Sequence, residues 1–427
     1  MRTETGKIKT LNFLLMLQHG TIMILWGSVI PEVIDAFSLS EASAGILLGL
    51  GTMGAFFGPL LAGPTIDLVG LKLVMLLGFA GEVVFLLMFG AAQWFWMLVL
   101  ASFIVHICSG FIETAGNVLP NRVNLSNIGS FMSLVHFAFS LGAFIAPFLV
   151  GWYIDATGLW RPVPCMIAVP ALLIGLLTVG TRVDGGGRPS AGDARHSAAA
   201  EPPAAVTAAD SAAALPTGRP IGRPTSRPPG RPLDSPLFFL KTLRNRSVGG
   251  GALTLFLYVG SEVGLSSWVV YYLRTSLAFP PFRAASGLSV LWMGLMIGRF
   301  ANTFLSKHFS SRTLVTASGA IGSAAVLVFL LVSRTISVYL FLTLIGLCMS
   351  GVFPNVMAEI NHRYPESTGT VTATLAIGAS CGAILFQWLI GITAEHSSIA
   401  WALLIPAILM AGVSGAFIYT SKTLERA

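Results

Sequence analysis

Residues 63–72 read GPTIDLVGLK and join two long apolar stretches of the chain. The segment holds an acid, Asp67, a base, Lys72, and two glycines, Gly63 and Gly70, which suit a tight turn. The stretches on either side reach the length of about 20 apolar residues that a helix needs to cross a bilayer. We therefore expect a hairpin of two membrane-spanning helices with a short charged turn at one membrane surface.

Apolar stretches of this length recur along the whole chain of 427 residues, which is 54% hydrophobic and 10% charged, with a mean hydropathy of +0.79. Soluble domains carry about a quarter charged residues. The runs are continuous and not alternating, which excludes a β-barrel. We predict an all-α membrane protein with twelve spanning helices at 11–37, 42–66, 71–91, 94–120, 129–153, 163–181, 248–273, 284–304, 313–332, 336–360, 369–393 and 399–420.

The basic residues predict the orientation of the chain. With the N-terminus in the cytoplasm, the outer loops hold only four of the 25 Lys and Arg residues, namely Arg161, Arg274, Arg283 and Arg334. The first stretch follows basic residues, as a signal peptide does, but it is too long for one and no clear cleavage site follows, so we expect a retained helix. We predict a multi-pass cell-membrane protein with both termini cytoplasmic, whose net charge of +7 needs no nucleic acid to explain it.

The sequence repeats itself weakly. A shift of 240 residues without gaps aligns residues of the first half with like residues of the second across five predicted helices. The matches include Gly20 with Gly260, Gly54 with Gly294, Gly58 with Gly298, Lys72 with Arg312, Gly142 with Gly382 and Gly151 with Gly391. We expect two six-helix, pseudo-symmetric halves, 1–183 and 237–427, of the same topology.

Residues 184–236 separate the halves and contain no Phe, Trp or Tyr. This segment cannot bury a core, so we expect a disordered cytoplasmic linker. Its Arg residues recur every fourth position before prolines, as in GRPIGRPTSRPPGRP, and proline forbids a regular helix there. The pattern indicates either contact with anionic membrane lipids or a binding site for another protein.

Polar residues form a stripe on the fourth predicted helix. His106, Glu113 and Asn117 are seven and four residues apart, which puts them on one helix face. An ionised carboxylate in hydrocarbon costs roughly 2.5 kcal/mol or more at mid-helix, so this face turns to a cavity or to another helix. The stripe predicts a proton-titrating, solute-binding wall, with an interhelical hydrogen-bond cluster as the alternative.

Other spans carry similar polar residues, and each has helix packing as its alternative interpretation. The candidate solute-binding residues are Gln18, His19, Tyr258, Glu262, Asn355 and Gln387, with the aromatic residues Trp26 and Trp268. Amides and carboxylates bind hydroxyl groups, and an indole face covers the C–H side of a sugar ring. Glu82, on the third helix, is explained only as a buried hydrogen-bonding group.

Several of these stretches resemble a known family. The turn at 63–72 resembles the cytoplasmic loop motif of the major facilitator superfamily, with Leu68 in place of the usual basic residue, and we place Arg299 and the SKHFSSR segment at its repeat-related position. GFIETAGNVLP, YVGSEVGLSSWVVYYL, IGRFANTFLS and CMSGVFPNV resemble helices 4, 7, 8 and 10 of the fucose–proton symporter family.

The resemblance implies a major facilitator fold whose helices 1, 4, 7 and 10 line a central cavity, and whose loop motif pins the halves together in one state. It implies symport of hexoses or related sugars with protons, or with sodium in some members. It also implies that Glu113 is the residue for protonation and sugar contact, with Asn117 beside it. The family's Asp before a helix 1 proline is absent here, where Trp26, Gly27 and Ser28 stand instead, so fucose is not the expected sugar.

We therefore predict a monomeric secondary transporter of a small polar solute, in which Glu113 takes up a proton with the solute and releases both on the other side. A proton-antiport exporter of amphiphilic compounds and a membrane sensor that binds solute without moving it remain as alternatives. No nucleophile motif, phosphate loop or metal-ligand spacing indicates an enzyme or a cofactor. The cysteines, interpreted as packing residues, are Cys108, Cys165, Cys348 and Cys381.

Overall fold

The computed structural model describes residues 2–122, 128–181, 183 and 242–426. Within this part of the chain, twelve helices are long and apolar enough to cross a membrane, which confirms the predicted fold class. The predicted linker, 184–236, lies outside the described residues.

The helix bounds follow the predicted stretches closely. In the first half they are α1 (Arg2–Phe37), α2 (Glu41–Val69), α3 (Leu71–Gly90), α4 (Phe95–Val118), α5 (Ile128–Thr157) and α6 (Pro162–Gly180). In the second half they are α7 (Arg246–Thr275), α8 (Pro281–Leu305), α9 (Ser311–Phe329), α10 (Thr335–Met349 and Val352–Arg363), α11 (Thr368–His396) and α12 (Ile399–Ala402 and Leu404–Arg426).

Each half packs its helices in the same way. In the first half α1 packs on α5, α2 on α4, and α3 on both α4 and α6. In the second half α7 packs on α11, α8 on α10, and α9 on both α10 and α12. The halves meet along α2 with α11 and α5 with α8, while α1 touches α7. The arrangement is the pseudo-symmetry that the sequence repeat predicts.

The matched glycines show why the repeat is detectable in sequence. A Cβ atom at Gly54 would collide with the backbone carbonyl of Phe103 on α4. A Cβ atom at Gly294 would collide in the same way with the carbonyl of Thr343 on α10. Both positions bring two helix backbones into close contact, and membrane helices use small residues at such crossings.

The halves are joined at the end of the molecule where α1, α7 and α11 finish, which we call the sealed end. Polar groups of both halves pair there. The contacts are the Glu32–Arg274 ion pair at 3.7 Å, the Tyr271 hydroxyl donating to Glu41 Oε1 at 2.8 Å, and the Ala42 amide donating to Glu395 Oε2 at 2.9 Å.

Contacts between the halves continue from the sealed end to the middle of the helices. There Arg299 of α8 donates from Nη1 to the Ser140 hydroxyl of α5 at 3.0 Å. At about this level Glu113 of α4 keeps 42% of its side chain exposed, although its neighbour is the buried His19 of α1. Glu113 therefore borders solvent-accessible space beside α1, which we call the cavity. None of the contacts between the halves given above lies at the end where α1 begins, which we call the open end.

Candidate functional site

An acid and a base meet on the cavity wall of the first half. Glu113 Oε2 lies 3.8 Å from His19 Nε2. The histidine is 5% exposed, whereas the carboxylate is open to the cavity. A carboxylate that reaches water on one side and an imidazole on the other is suited to take up and release a proton. The structure thus brings together two of the predicted site residues from α1 and α4.

The other ring nitrogen of His19 is also engaged. Nδ1 lies 2.7 Å from the Ser109 hydroxyl of α4, and the ring packs against Phe139 of α5 at 5.3 Å between centroids. Asn117 follows Glu113 by one turn, and its Oδ1 is buried without a hydrogen-bond partner among the described residues. His19 therefore lies behind Glu113 and is itself held by Ser109.

The second half contributes a charged cluster at a similar depth. Glu262 of α7 is buried and interacts with Tyr258, one turn earlier. The Arg299 guanidinium is close enough to interact electrostatically with Glu262 and with His136 of α5. An acid and a base from neighbouring helices thus compensate each other's charge inside the membrane.

The predicted loop motif requires a correction. Arg299 lies inside α8, which ends only at Leu305, and so it belongs to the interior cluster and not to a loop. Gly63 and Asp67 are part of α2, which continues to Val69. The turn itself is made by Gly70, whose φ of 91° lies in the left-handed region. Lys72 donates from Nζ to the Val179 carbonyl at the end of α6, which ties it to its own half.

Three predicted residues of the first half face away from the cavity in this structure. Gln18 donates from Nε2 to the Ile167 carbonyl of α6 at 3.1 Å. Trp26 lies between the rings of Phe89, at 4.6 Å, and His106, at 5.1 Å. Gln18, Trp26 and His106 are therefore packing residues here, and His106 does not join Glu113.

The remaining predicted residues of the second half hold helices together. Trp268 is fully buried and donates to the Gln387 carbonyl of α11 at 3.2 Å. Gln387 donates in turn to the Thr52 hydroxyl of α2 at 2.6 Å, which links the two halves. Asn355 donates to Asn302 Oδ1 of α8 at 2.9 Å. These contacts fit a role in packing and in closing the halves better than direct solute contact.

Sequence reasoning missed two hydroxyl groups of the site. Ser109 precedes Glu113 by four residues, so the helical period that singled out Glu113 could also have found it. Ser140 meets Arg299 from 159 positions away, a pairing for which one sequence carries no signal. Among the described residues, no group of three or more His, Cys, Asp or Glu side chains is placed to hold a metal ion.

Comparison with known proteins identifies a family model and several relatives that match this chain. The family model described as Major Facilitator Superfamily matches residues 11–386. The glucose/galactose transporter of Brucella abortus biovar 1 (strain 9-941) is 28% identical over 167 residues, which are 38% of this chain and 40% of that protein. The match thus spans less than half the length of that relative. The glucose/mannose transporter GlcP of Bacillus subtilis (strain 168) is 23% identical over 405 residues, 92% of this chain and 90% of that protein.

Solved structures of transporters share the architecture. A bacterial homologue of the human lysosomal transporter Spinster, in an inward-facing and unoccupied conformation, superposes with a TM-score of 0.74 at 14% identity, covering 100% of this chain and 98% of that one. The nucleoside transporter NupG superposes with a TM-score of 0.72 at 14% identity, covering 97% and 99%. At this identity the likeness shows the fold.

Proposed function

The chain belongs to the Major Facilitator Superfamily, and on that premise we propose that it carries a hexose or related sugar across the membrane together with a proton. The observation that carries the proposal is the pair of Glu113 and His19 on the cavity wall. A titratable acid that reaches solvent inside a membrane bundle marks a proton pathway. The relatives named as glucose/galactose and glucose/mannose transporters support a sugar as the co-transported solute.

The orientation of the cycle follows from the basic residues. Placing the N-terminus in the cytoplasm makes the sealed end the outer end, because Arg161, Arg274 and Arg283 lie on that side. The cavity beside Glu113 then opens toward the cytoplasm. In this assignment the structure corresponds to the state that releases solute and proton inside the cell.

The proposed cycle alternates between two openings. With the outer end open, Glu113 takes a proton from outside, and the neutral acid can donate a hydrogen bond to a sugar hydroxyl. The halves then rock until the contacts of Glu32 with Arg274 and of Glu41 with Tyr271 close the outer end. Release of the proton to the cytoplasm leaves a carboxylate facing His19 Nε2, and one such acid suffices for one proton per sugar.

The sugar would be held between the two halves. Glu113 and Asn117 offer acceptors and donors from one wall, and Tyr258 and Arg299 lie in the opposite half. Trp292, two turns before Arg299 on α8, has a buried indole N–H without a hydrogen-bond partner among the described residues. Trp292 joins Trp26 and Trp268 as a candidate for stacking on a sugar ring, because it lies between the halves against Phe139 of α5, at 5.9 Å between ring centroids.

Counterflow in proteoliposomes tests this function. Purified protein is reconstituted with unlabelled sugar inside, and entry of labelled glucose, galactose, mannose or fucose is followed, with protein-free liposomes as the control. We expect exchange of at least one hexose and little exchange of fucose. A folded, inserted protein that exchanges none of these sugars would contradict the proposal, and binding without exchange would favour a sensor.

A further inference from the structure

Glu82 is a buried acid that the transport cycle above leaves unused. It lies on α3, is 0% exposed, and neither carboxyl oxygen makes a full hydrogen bond among the described residues. An ionised carboxylate in this position would be costly, because no cation among the described residues pairs with it. The side chain is therefore a neutral acid, which has one O–H to donate.

The polar group next to Glu82 leads back to the cavity. The Ser109 hydroxyl, fully buried on α4, interacts with the Glu82 carboxyl group, although the contact falls short of an ideal hydrogen bond. Ser109 Oγ lies 2.7 Å from His19 Nδ1, and His19 Nε2 lies 3.8 Å from Glu113 Oε2. Four side chains from α3, α4 and α1 thus lie in series from a buried interior to the cavity wall, and the contact of Ser109 with His19 is the one full hydrogen bond among them.

We propose that Glu82 is a positioning residue that sets the tautomer of His19 toward Glu113. The Glu82 O–H donates to Ser109 Oγ, and the Ser109 O–H then donates to His19 Nδ1. Because Nδ1 accepts this bond, the ring proton of neutral His19 sits on Nε2, the nitrogen that faces Glu113. The inference rests on the proposed role of Glu113 in proton exchange.

A proton relay through the same groups is the competing scheme. The Glu82 proton would move to Ser109, the Ser109 proton to His19 Nδ1, and the His19 Nε2 proton to Glu113. The shift balances, but it leaves an ionised Glu82 inside the packed interface of α3 and α4. Burial of Glu82 therefore favours positioning over relay.

Other titratable groups surround these four side chains and are not substituted in the test. Cys108 of α4 interacts electrostatically with Glu82. Cys165 of α6 contacts α3 at Gly90, two turns away from Glu82. His106 of α4 and His136 of α5 interact electrostatically with His19. When Glu82 alone is substituted, a change in the pH profile of sugar uptake then reports on these four side chains.

Two substitutions at Glu82 separate the schemes. Glu82→Gln keeps an N–H donor for Ser109 but cannot give up a proton, so we expect proton-driven sugar uptake with the wild-type pH profile. Glu82→Met removes the donor, and we expect a displaced pH profile and uptake reduced about tenfold, as when a histidine loses its orienting partner. Ser109→Ala should match Glu82→Met and serves if that variant does not fold. Loss of coupling in Glu82→Gln would overturn the proposal in favour of the relay.

Nitrogen NMR of labelled histidine tests the tautomer directly and needs no sugar. The spectrum of a His19→Asn variant assigns the His19 signals among the seven histidines. We expect a protonated Nε2 and a bare Nδ1 in wild type and Glu82→Gln, and a mixture of tautomers in Ser109→Ala. An unchanged tautomer in Ser109→Ala and Glu82→Met would overturn the inference. A failed sugar panel with the expected spectra would instead reject the proposed function alone.

Discussion

At the scale of single residues, Gly27 is one of the three residues that stand where the resembled sugar symporters carry an acid. A Cβ atom at Gly27 would lie 2.5 Å from the Ser266 carbonyl of α7, so any side chain would separate α1 from α7. An acid at position 27 would therefore require α1 and α7 to move apart. The contact joins the two halves and can form only when the sealed end is closed.

Substitution of Gly27 should therefore prevent the sealed end from closing. We expect Gly27→Val to disfavour the closed sealed end by about 1–3 kcal/mol, the usual cost of overpacking, and to slow counterflow at least tenfold. Spin labels on the exposed turn residues Ser38 and Ser276, with the four free cysteines replaced, should report a longer distance.

Gly63→Ala is the matched control for this experiment, because a Cβ atom there has no neighbour within 4 Å. It should leave both distance and counterflow unchanged. Equal effects of Gly27→Val and Gly63→Ala would contradict the assignment of the α1–α7 contact.

Arg299 should contribute strongly to stability. Arg299→Gln removes the guanidinium that interacts with the buried Glu262, and leaving a buried polar group without its partner costs about 1–3 kcal/mol. We expect a lower free energy of unfolding in detergent for Arg299→Gln and partial recovery in Arg299→Gln with Glu262→Gln. Lys307→Gln, at the exposed end of α8, is the control. A double variant no more stable than the single one would show that the two charges do not compensate each other.

At the scale of helices, apolar length predicted the spans well, whereas residue spacing alone did not predict which way each polar side chain faces. Apolar length alone placed all twelve spans, although α1 begins at Arg2, well before the apolar run at 11–37. The polar residues of the first turns continue the helix beyond the membrane. Helix α10 is interrupted between Met349 and Val352. Hydropathy does not predict this break, because both segments belong to one hydrophobic run.

The direction a side chain faces depends on packing that hydropathy does not record. His106 and Glu113 share a helix face by spacing, yet His106 stacks on Trp26 while Glu113 faces the cavity. His106 lies two turns nearer the sealed end, where the helices close in and leave no open wall. Helical spacing therefore grouped a partly exposed acid with a histidine that is buried against Trp26, and the role of Glu113 stays a prediction.

The contact between α2 and α7 should bias the equilibrium between the two openings. Tyr271→Phe removes the hydrogen bond to the Glu41 carboxylate, and a bond to a charged group is worth about 1.5 kcal/mol. We expect a roughly tenfold shift toward an open sealed end, measured with the same spin-label pair. Tyr339→Phe removes a bond of equal length to the Arg283 carbonyl within one half and should cause no such shift. The same shift in both variants would contradict a gating role for Tyr271.

At the scale of the whole molecule, two similar halves surround one site and are held together over one end. The contacts run from Glu32 and Arg274 at the sealed end to Ser140 and Arg299 at mid-helix. In the proposed cycle the halves rock about the mid-helix contacts, and this motion would expose Glu113 to either side of the membrane in turn.

The segment between the halves should serve only as a tether. Deletion of 185–214 shortens it while leaving its Arg-rich end in place, and we expect normal sugar uptake at normal expression. Uptake per molecule of protein in proteoliposomes checks this. Lost uptake in a well-expressed deletion variant would indicate regulation through the segment and would favour the sensor interpretation.

The central claim is that Glu113 couples sugar movement to a proton. The most direct measurement is sugar accumulation in proteoliposomes under a pH gradient, for wild type, Glu113→Gln and the control Glu359→Gln, whose acid lies exposed near the open end of α10. We predict accumulation in wild type and Glu359→Gln, and in Glu113→Gln counterflow exchange without accumulation, because the amide keeps its hydrogen bonds but binds no proton. Accumulation in Glu113→Gln at the wild-type level would contradict the account.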